Sequence, residues 1–191
     1  MPILNAIRLG RLALAPLVEL TKVQAAIVRF SILHWPNTSL GYTMRRTYLR
    51  HRVGSLGKNL VMDGGCSIVG HQVHIGDDCM IGHGCVINLG PGEFQFRMGD
   101  RTHVGPGLYV RNMNHRYDDP NTPISDQGYF GSDIVIGKDV WIGGRCILLA
   151  GTRIGDHCVI GAGSVVSTEI PPYSVVVGNP ARVIKRRTHR G

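Results

Sequence analysis

Residues 136–166 read IGKDVWIGGRCILLAGTRIGDHCVIGAGSVV. An aliphatic side chain stands at every sixth position: Ile136, Ile142, Leu148, Ile154, Ile160 and Val166. Glycine follows at Gly137, Gly143, Gly155 and Gly161. A period of six fits neither a helix nor a simple strand, which repeat at 3.6 and 2 residues. It fits a chain that turns a corner after each short strand and stacks turn upon turn over a continuous core.

The same beat runs upstream through Leu56, Met62, Ile68; Ile75, Ile81, Ile87; and Met98, Val104, Val110. Taken in threes, these positions define about five coils of eighteen residues, starting at 56, 75, 98, 136 and 154. The expectation is an all-β parallel β-helix, a triangular prism whose coils hydrogen-bond about 4.8 Å apart. The aliphatic residues point inward and the glycines help the chain turn. Residues in excess of strict sixes fall only after a third repeat: one before 75, five before 98 and twenty before 136. Decoration therefore runs along one edge, and loops on a rigid scaffold are where function concentrates. The predicted division is an N-terminal helical and basic segment, 1–55, and the prism, 56–191, with a loop insertion at 116–133 and a tail at 172–191.

Cys66, Cys79, Cys85, Cys146 and Cys158 all stand four residues after an aliphatic position, in phase with Val140, Thr152 and Ser164. That phase marks a small inward side chain, so the cysteines read as core. No CxxC pair points to zinc.

The formal net charge is +8, unevenly spread. Residues 1–58 hold nine Lys or Arg against Glu19 alone, and five more bases follow from Arg182 onward. Such ends suit anionic partners, but no nucleic-acid-binding signature occurs. No apolar run spans a membrane, so a cytoplasmic protein is expected. Residues 16–33 read as an amphipathic helix, with Leu17, Leu20, Val23, Ile27 and Phe30 on one stripe. It would pack on protein or lie at a membrane surface, supported there by Arg45, Arg46, Arg50 and Arg52.

The segments IGKDVWIG (136–143), IGAGSVV (160–166) and GNPA (178–181) resemble the hexapeptide-repeat acyltransferases, in the group of galactoside, maltose and polysaccharide O-acetyltransferases. The resemblance spans about residues 56–187. It implies a left-handed helix, a homotrimer, acetyl-coenzyme A as cosubstrate and no metal. It implies that His115, where the chain leaves the coil for the loop, is the general base toward an acceptor hydroxyl. Asn88, read as the start of a third-repeat strand, resembles the residue that steadies the acceptor or the tetrahedral intermediate. The backbone at Gly144 and Ala162 would meet pantetheine, with Trp141 packing nearby. Arg182 and Lys185 would meet phosphates, with Arg186 beside them; Thr168 stands where relatives often carry Lys.

Gly144 and Ala162 fall two residues into second repeats, hence on the second face, opposite the corner of His115. Phe94, Phe96, Asp118, Asp119, Asp126 and Tyr129 are candidates for an acceptor pocket. The acceptor suggested is a sugar or lipid-linked saccharide of surface polysaccharide synthesis, reached with peripheral membrane contact through the N-terminal segment. Two other classes share the architecture: a non-catalytic scaffold or binding module, and a γ-type carbonic anhydrase. The latter needs histidines at H-x4-H spacing, and no two histidines here stand five apart.

Overall fold

The computed structural model describes residues 22–188. It falls into two compact units, one ending at Trp35 and one beginning at Pro36. The first contains a helix at 22–34; Leu17 and Leu20 of the expected stripe lie outside the described residues. Val23, Ile27 and Phe30 of that stripe are exposed.

The second unit opens with a helix the hydrophobic pattern does not announce, Ser39–Arg50, whose N-cap Thr38 accepts a hydrogen bond from the amide of Gly41. Arg45 on this helix is fully buried. Its Nε donates to the carbonyl of Met62 at 2.7 Å and its guanidinium to Oδ1 of Asn37 at 2.9 Å. It ties the helix to the first coil, so its expected place at a membrane surface is corrected. A buried guanidinium persists only where its donors find such partners.

The rest is a left-handed parallel β-helix. Leu56, Ile75, Met98, Ile136, Ile154 and Ile170 stand in register on the first face. Met62, Ile81, Val104, Ile142, Ile160 and Val176 do so on the second. Ile68, Ile87, Val110, Leu148 and Val166 form the third. Five coils thus follow the spacing, and a partial sixth adds Ile170 and Val176, both buried. The chain then folds back, and Arg182–Arg186 pairs antiparallel with Ser174–Val177 on the second face.

The glycine after each aliphatic residue does different work from that expected. The corner between first and second faces is turned two residues later, by Asn59, Asp78, Arg101, Asp139 and His157, all at positive φ. The glycine permits close stacking: a Cβ on Gly99 would come within 2.7 Å of the Gly137 backbone in the next coil. The cysteines are buried, and their slot has a second property. Cys79, Cys85 and Cys146 direct Sγ at the carbonyls of Gly99, Gly105 and Gly161 at 3.2–3.4 Å, and Thr102 donates to Gly137 likewise. The slot therefore also accommodates a donor, which aims at a backbone carbonyl of the next coil. Burial pushes the thiols of Cys79, Cys146 and Cys158 up from their ordinary value.

Candidate active site

The decorated edge is built around Asn112, a buried polar residue that the periodicity does not single out. Its Oδ1 accepts from the amide of Gly90 at 2.9 Å and its Nδ2 donates to the carbonyl of Phe94 at 3.3 Å. Its own carbonyl accepts from Ser132 at 3.1 Å. One side chain thus fastens the smaller insertion to the base of the larger one. Its signal in the sequence is only that a polar residue follows directly after the third-repeat strand Tyr109–Arg111.

The larger insertion is a hairpin. Met113–His115 pairs antiparallel with Tyr129–Gly131, and His115 faces Tyr129 in register. The imidazole is exposed and its ring centre lies 4.4 Å from that of Tyr129. Strand pairing and a ring contact hold His115 at the corner between third and first faces, with its edge open to solvent.

The loop tip is self-bound. Asp119 accepts from Oγ1 of Thr122 at 2.7 Å and from the amide of Asn121 at 2.9 Å. Those bonds hold its carboxyl below the usual range. Asp126 accepts from Ser125 at 2.8 Å. Asp119 and Asp126 therefore already have partners inside the loop, whereas Tyr129 meets His115 and Asp118 is exposed. Of the two phenylalanines, Phe94 stays partly exposed beside the hairpin at Gly131. Phe96 is wholly buried in the core, so its expected part in an acceptor pocket is corrected.

Asn88 ends, rather than begins, the strand Val86–Asn88. It is exposed, in register with Arg111 one coil on, and its Oδ1 accepts from that guanidinium at 3.2 Å. The contact leaves the amide nitrogen as the donor half of the side chain. Arg111 is a neighbour that the pattern of sixes does not reveal.

Gly144 and Ala162 occupy the turns after Trp141–Ile142 and Val159–Ile160. They stand at the corner between second and third faces, not within the second face. With Gly105, Pro106, Gly143 and Gly161 they line an apolar groove of about 340 Å3, walled by Trp141. Trp141 is 60% exposed. Arg182 pairs with Val177 and Lys185 with Val175 on the last strands of the same sheet, and both are exposed. Arg186 instead donates to the carbonyl of Pro172 at 2.9 Å. The structure brings Trp141, Gly144 and Ala162 together and sets Arg182 and Lys185 on the sheet above them. It does not bring His115 to them within one chain.

A second hollow, about 530 Å3, opens on the other side of Trp141 between Arg101, His103, Asp139 and Arg187. His157 and Asp139 meet there at 2.7 Å, and this hydrogen bond is the main cause that lowers the Asp139 carboxyl. Among the described residues no cluster of three His, Cys, Asp or Glu is placed to hold a metal.

A stacked β-helix with an apolar small-residue groove, a cationic strand and a histidine on a corner hairpin defines a class of acyl-transfer scaffold. Comparison with known proteins agrees. Residues 133–168 match the family of bacterial transferase hexapeptides (six repeats), and residues 72–111 match the hexapeptide repeat of succinyl-transferase. A maltose O-acetyltransferase of Clostridium difficile 630 superposes with a TM-score of 0.72 at 31% identity, covering 89% of both chains. The chain belongs to the hexapeptide-repeat acyltransferases.

An acetyltransferase of Vibrio cholerae solved with acetyl-coenzyme A superposes with a TM-score of 0.71 at 28% identity, covering 90% of both chains. A probable acetyltransferase of Mycobacterium tuberculosis is 40% identical over 61% of this chain and 38% of its own length. The chain spans between 38% and 64% of the first curated relatives it matches.

Proposed function

We propose that this protein transfers an acetyl group from acetyl-coenzyme A to a hydroxyl of a sugar or lipid-linked saccharide, with His115 as general base. The observation that carries the reading is the groove at Gly144 and Ala162, continued by Arg182 and Lys185 on the same sheet. Side chains no larger than methyl let an extended pantetheine lie against the turn backbone. The cations beyond it suit the phosphates at the far end of the cofactor. The resemblance to a structure that holds acetyl-coenzyme A supports the same assignment.

His115 takes the proton of the acceptor hydroxyl as that oxygen attacks the thioester carbon. The carbon–sulfur bond breaks, and the leaving thiolate takes the proton back from the imidazolium. The amide nitrogen of Asn88, turned outward by the bond from Arg111 to its oxygen, is a donor toward the acceptor or the tetrahedral oxyanion. The buried cysteines are out of reach of substrate, so no acyl-cysteine enters the scheme.

The site is shared between copies in a homotrimer. In one coil the groove lies at Gly105–Pro106 and His115 leaves the far end of the third face. The third face, one prism side of about five residues or roughly 16 Å at strand rise, separates them, whereas reacting atoms must approach to about 3.5 Å. The exposed apolar Val61, Met80 and Trp141 on the second face give a neighbouring copy a surface to cover. Among the described residues no helix is long and apolar enough to cross a membrane. The exposed Val23, Ile27 and Phe30 and the basic N-terminal charge support cytoplasmic work at the membrane surface.

The test is a panel of sugar acceptors assayed by release of free coenzyme A. Release with at least one saccharide, abolished by His115→Ala, supports the reading. Failure to bind coenzyme A or to release it with any acceptor would overturn it.

A further inference from the structure

The first face carries a chain of polar side chains that acetyl transfer at His115 does not use. Ser55, His74 and Arg97 stand in register on successive coils. Ser55 Oγ lies 2.9 Å from Nδ1 of His74, and Nε2 of His74 lies 2.8 Å from Oε1 of Gln95.

The direction of this chain is set at its far end. Nε2 of Gln95 donates to the carbonyl of Glu93 at 2.7 Å. A carbonyl only accepts, so the amide nitrogen belongs there and Oε1 faces His74. Oε1 also only accepts, so His74 carries its proton on Nε2. Its Nδ1 is then the acceptor, and the Ser55 hydroxyl is the donor. The hydroxyl proton already lies on the line to a base, as activation of a nucleophile requires.

Further contacts fix the parts. The backbone N–H of Gln95 donates to Oδ1 of Asp133 at 2.8 Å. A Cβ on Gly54 would meet the backbone carbonyl of His71 first and then Cε1 of His74 at 2.7 Å, so glycine there makes room for the next coil's backbone as well as for the imidazole. Ser55 is exposed and borders a hollow of about 300 Å3 whose wall includes Arg97 and Met98.

We propose that Ser55, with His74 as base and Gln95 as the group that orients it, is a second nucleophilic centre, an esterase-like site for small activated acyl esters. Ser55 Oγ attacks the ester carbonyl carbon while its proton passes to Nδ1 of His74. The carbon–oxygen bond to the alcohol breaks, the alcohol leaves with that proton, and the acyl group rests on Ser55. Water, deprotonated by His74, then releases the acid and restores the serine. Gln95 orients the imidazole without the counter-charge of a carboxylate, so the site favours esters with good leaving groups. Arg97 supplies a cation on the wall of the same hollow.

The experiment uses the full chain carrying His115→Ala, so that the other centre is silent, with p-nitrophenyl acetate as probe. Nitrophenolate release should exceed the rate in buffer. Adding Ser55→Ala should lower the enzyme-dependent rate about tenfold or more, and His74→Gln should do the same. With His115 intact, Ser55→Ala should keep its melting temperature and its transfer from acetyl-coenzyme A. Hydrolysis no faster than buffer in the His115→Ala protein, or a rate unchanged by Ser55→Ala, would overturn the proposal.

Discussion

His115 owes its position to a strand pair that does not depend on the imidazole, and its ring rests beside that of Tyr129. His115→Ala is therefore expected to remove the proton acceptor and leave fold and groove in place. The acetyl-transfer rate should fall by about 10²–10⁴-fold with coenzyme A affinity unchanged by calorimetry. The cysteines are the contrasting case: buried, with sulfurs aimed at backbone carbonyls and, at Cys79, Cys146 and Cys158, thiols raised by burial. A thiol reagent should label none of the five in native protein within the time that labels all of them in denaturant. Fast native labelling with loss of activity would contradict the packing described. Arg45 is a third kind of residue, charged but structural. Arg45→Ala leaves the Met62 carbonyl without its donor and opens a cavity, which should cost about 2–4 kcal/mol, read as a lower melting temperature.

At the scale of elements, the inward positions were legible because every face repeats one chemical demand at one spacing. The left-handed residues were not, because Asn59, Asp78, Arg101, Asp139 and His157 share a backbone conformation and no side-chain type. The partial sixth coil escaped the pattern because Val166 and Ile170 are four residues apart, so the beat of six is lost as the chain shortens its corner. The helix Ser39–Arg50 is held by buried Arg45 and Leu49 and by a cap, and one buried leucine is too little apolar stripe to give a periodic signal. Asn112 and Arg111 were invisible for a similar reason: their work is defined by loops and neighbouring coils that only the fold brings together. For the segment ahead of the prism, removal of residues 1–35 should reduce binding to anionic vesicles in a sedimentation assay, or weaken the trimer. Coenzyme A binding should survive. Unchanged vesicle binding and trimer stability would assign the segment some other role.

At the scale of the whole molecule, the proposed reaction has one chain hold half of each site at two corners of its prism. The third face lies between them, so no rotamer change joins the halves. In that reaction His115 of one copy works on cofactor held at Gly144 and Ala162 of the next. Subunit complementation tests this most directly. His115→Ala lacks the base, and Ala162→Trp fills the groove; each should be inactive alone. Co-refolded, some interfaces in mixed trimers combine an intact His115 with an intact groove, and acetyl transfer should return. Verified mixed trimers that stay inactive would contradict the account.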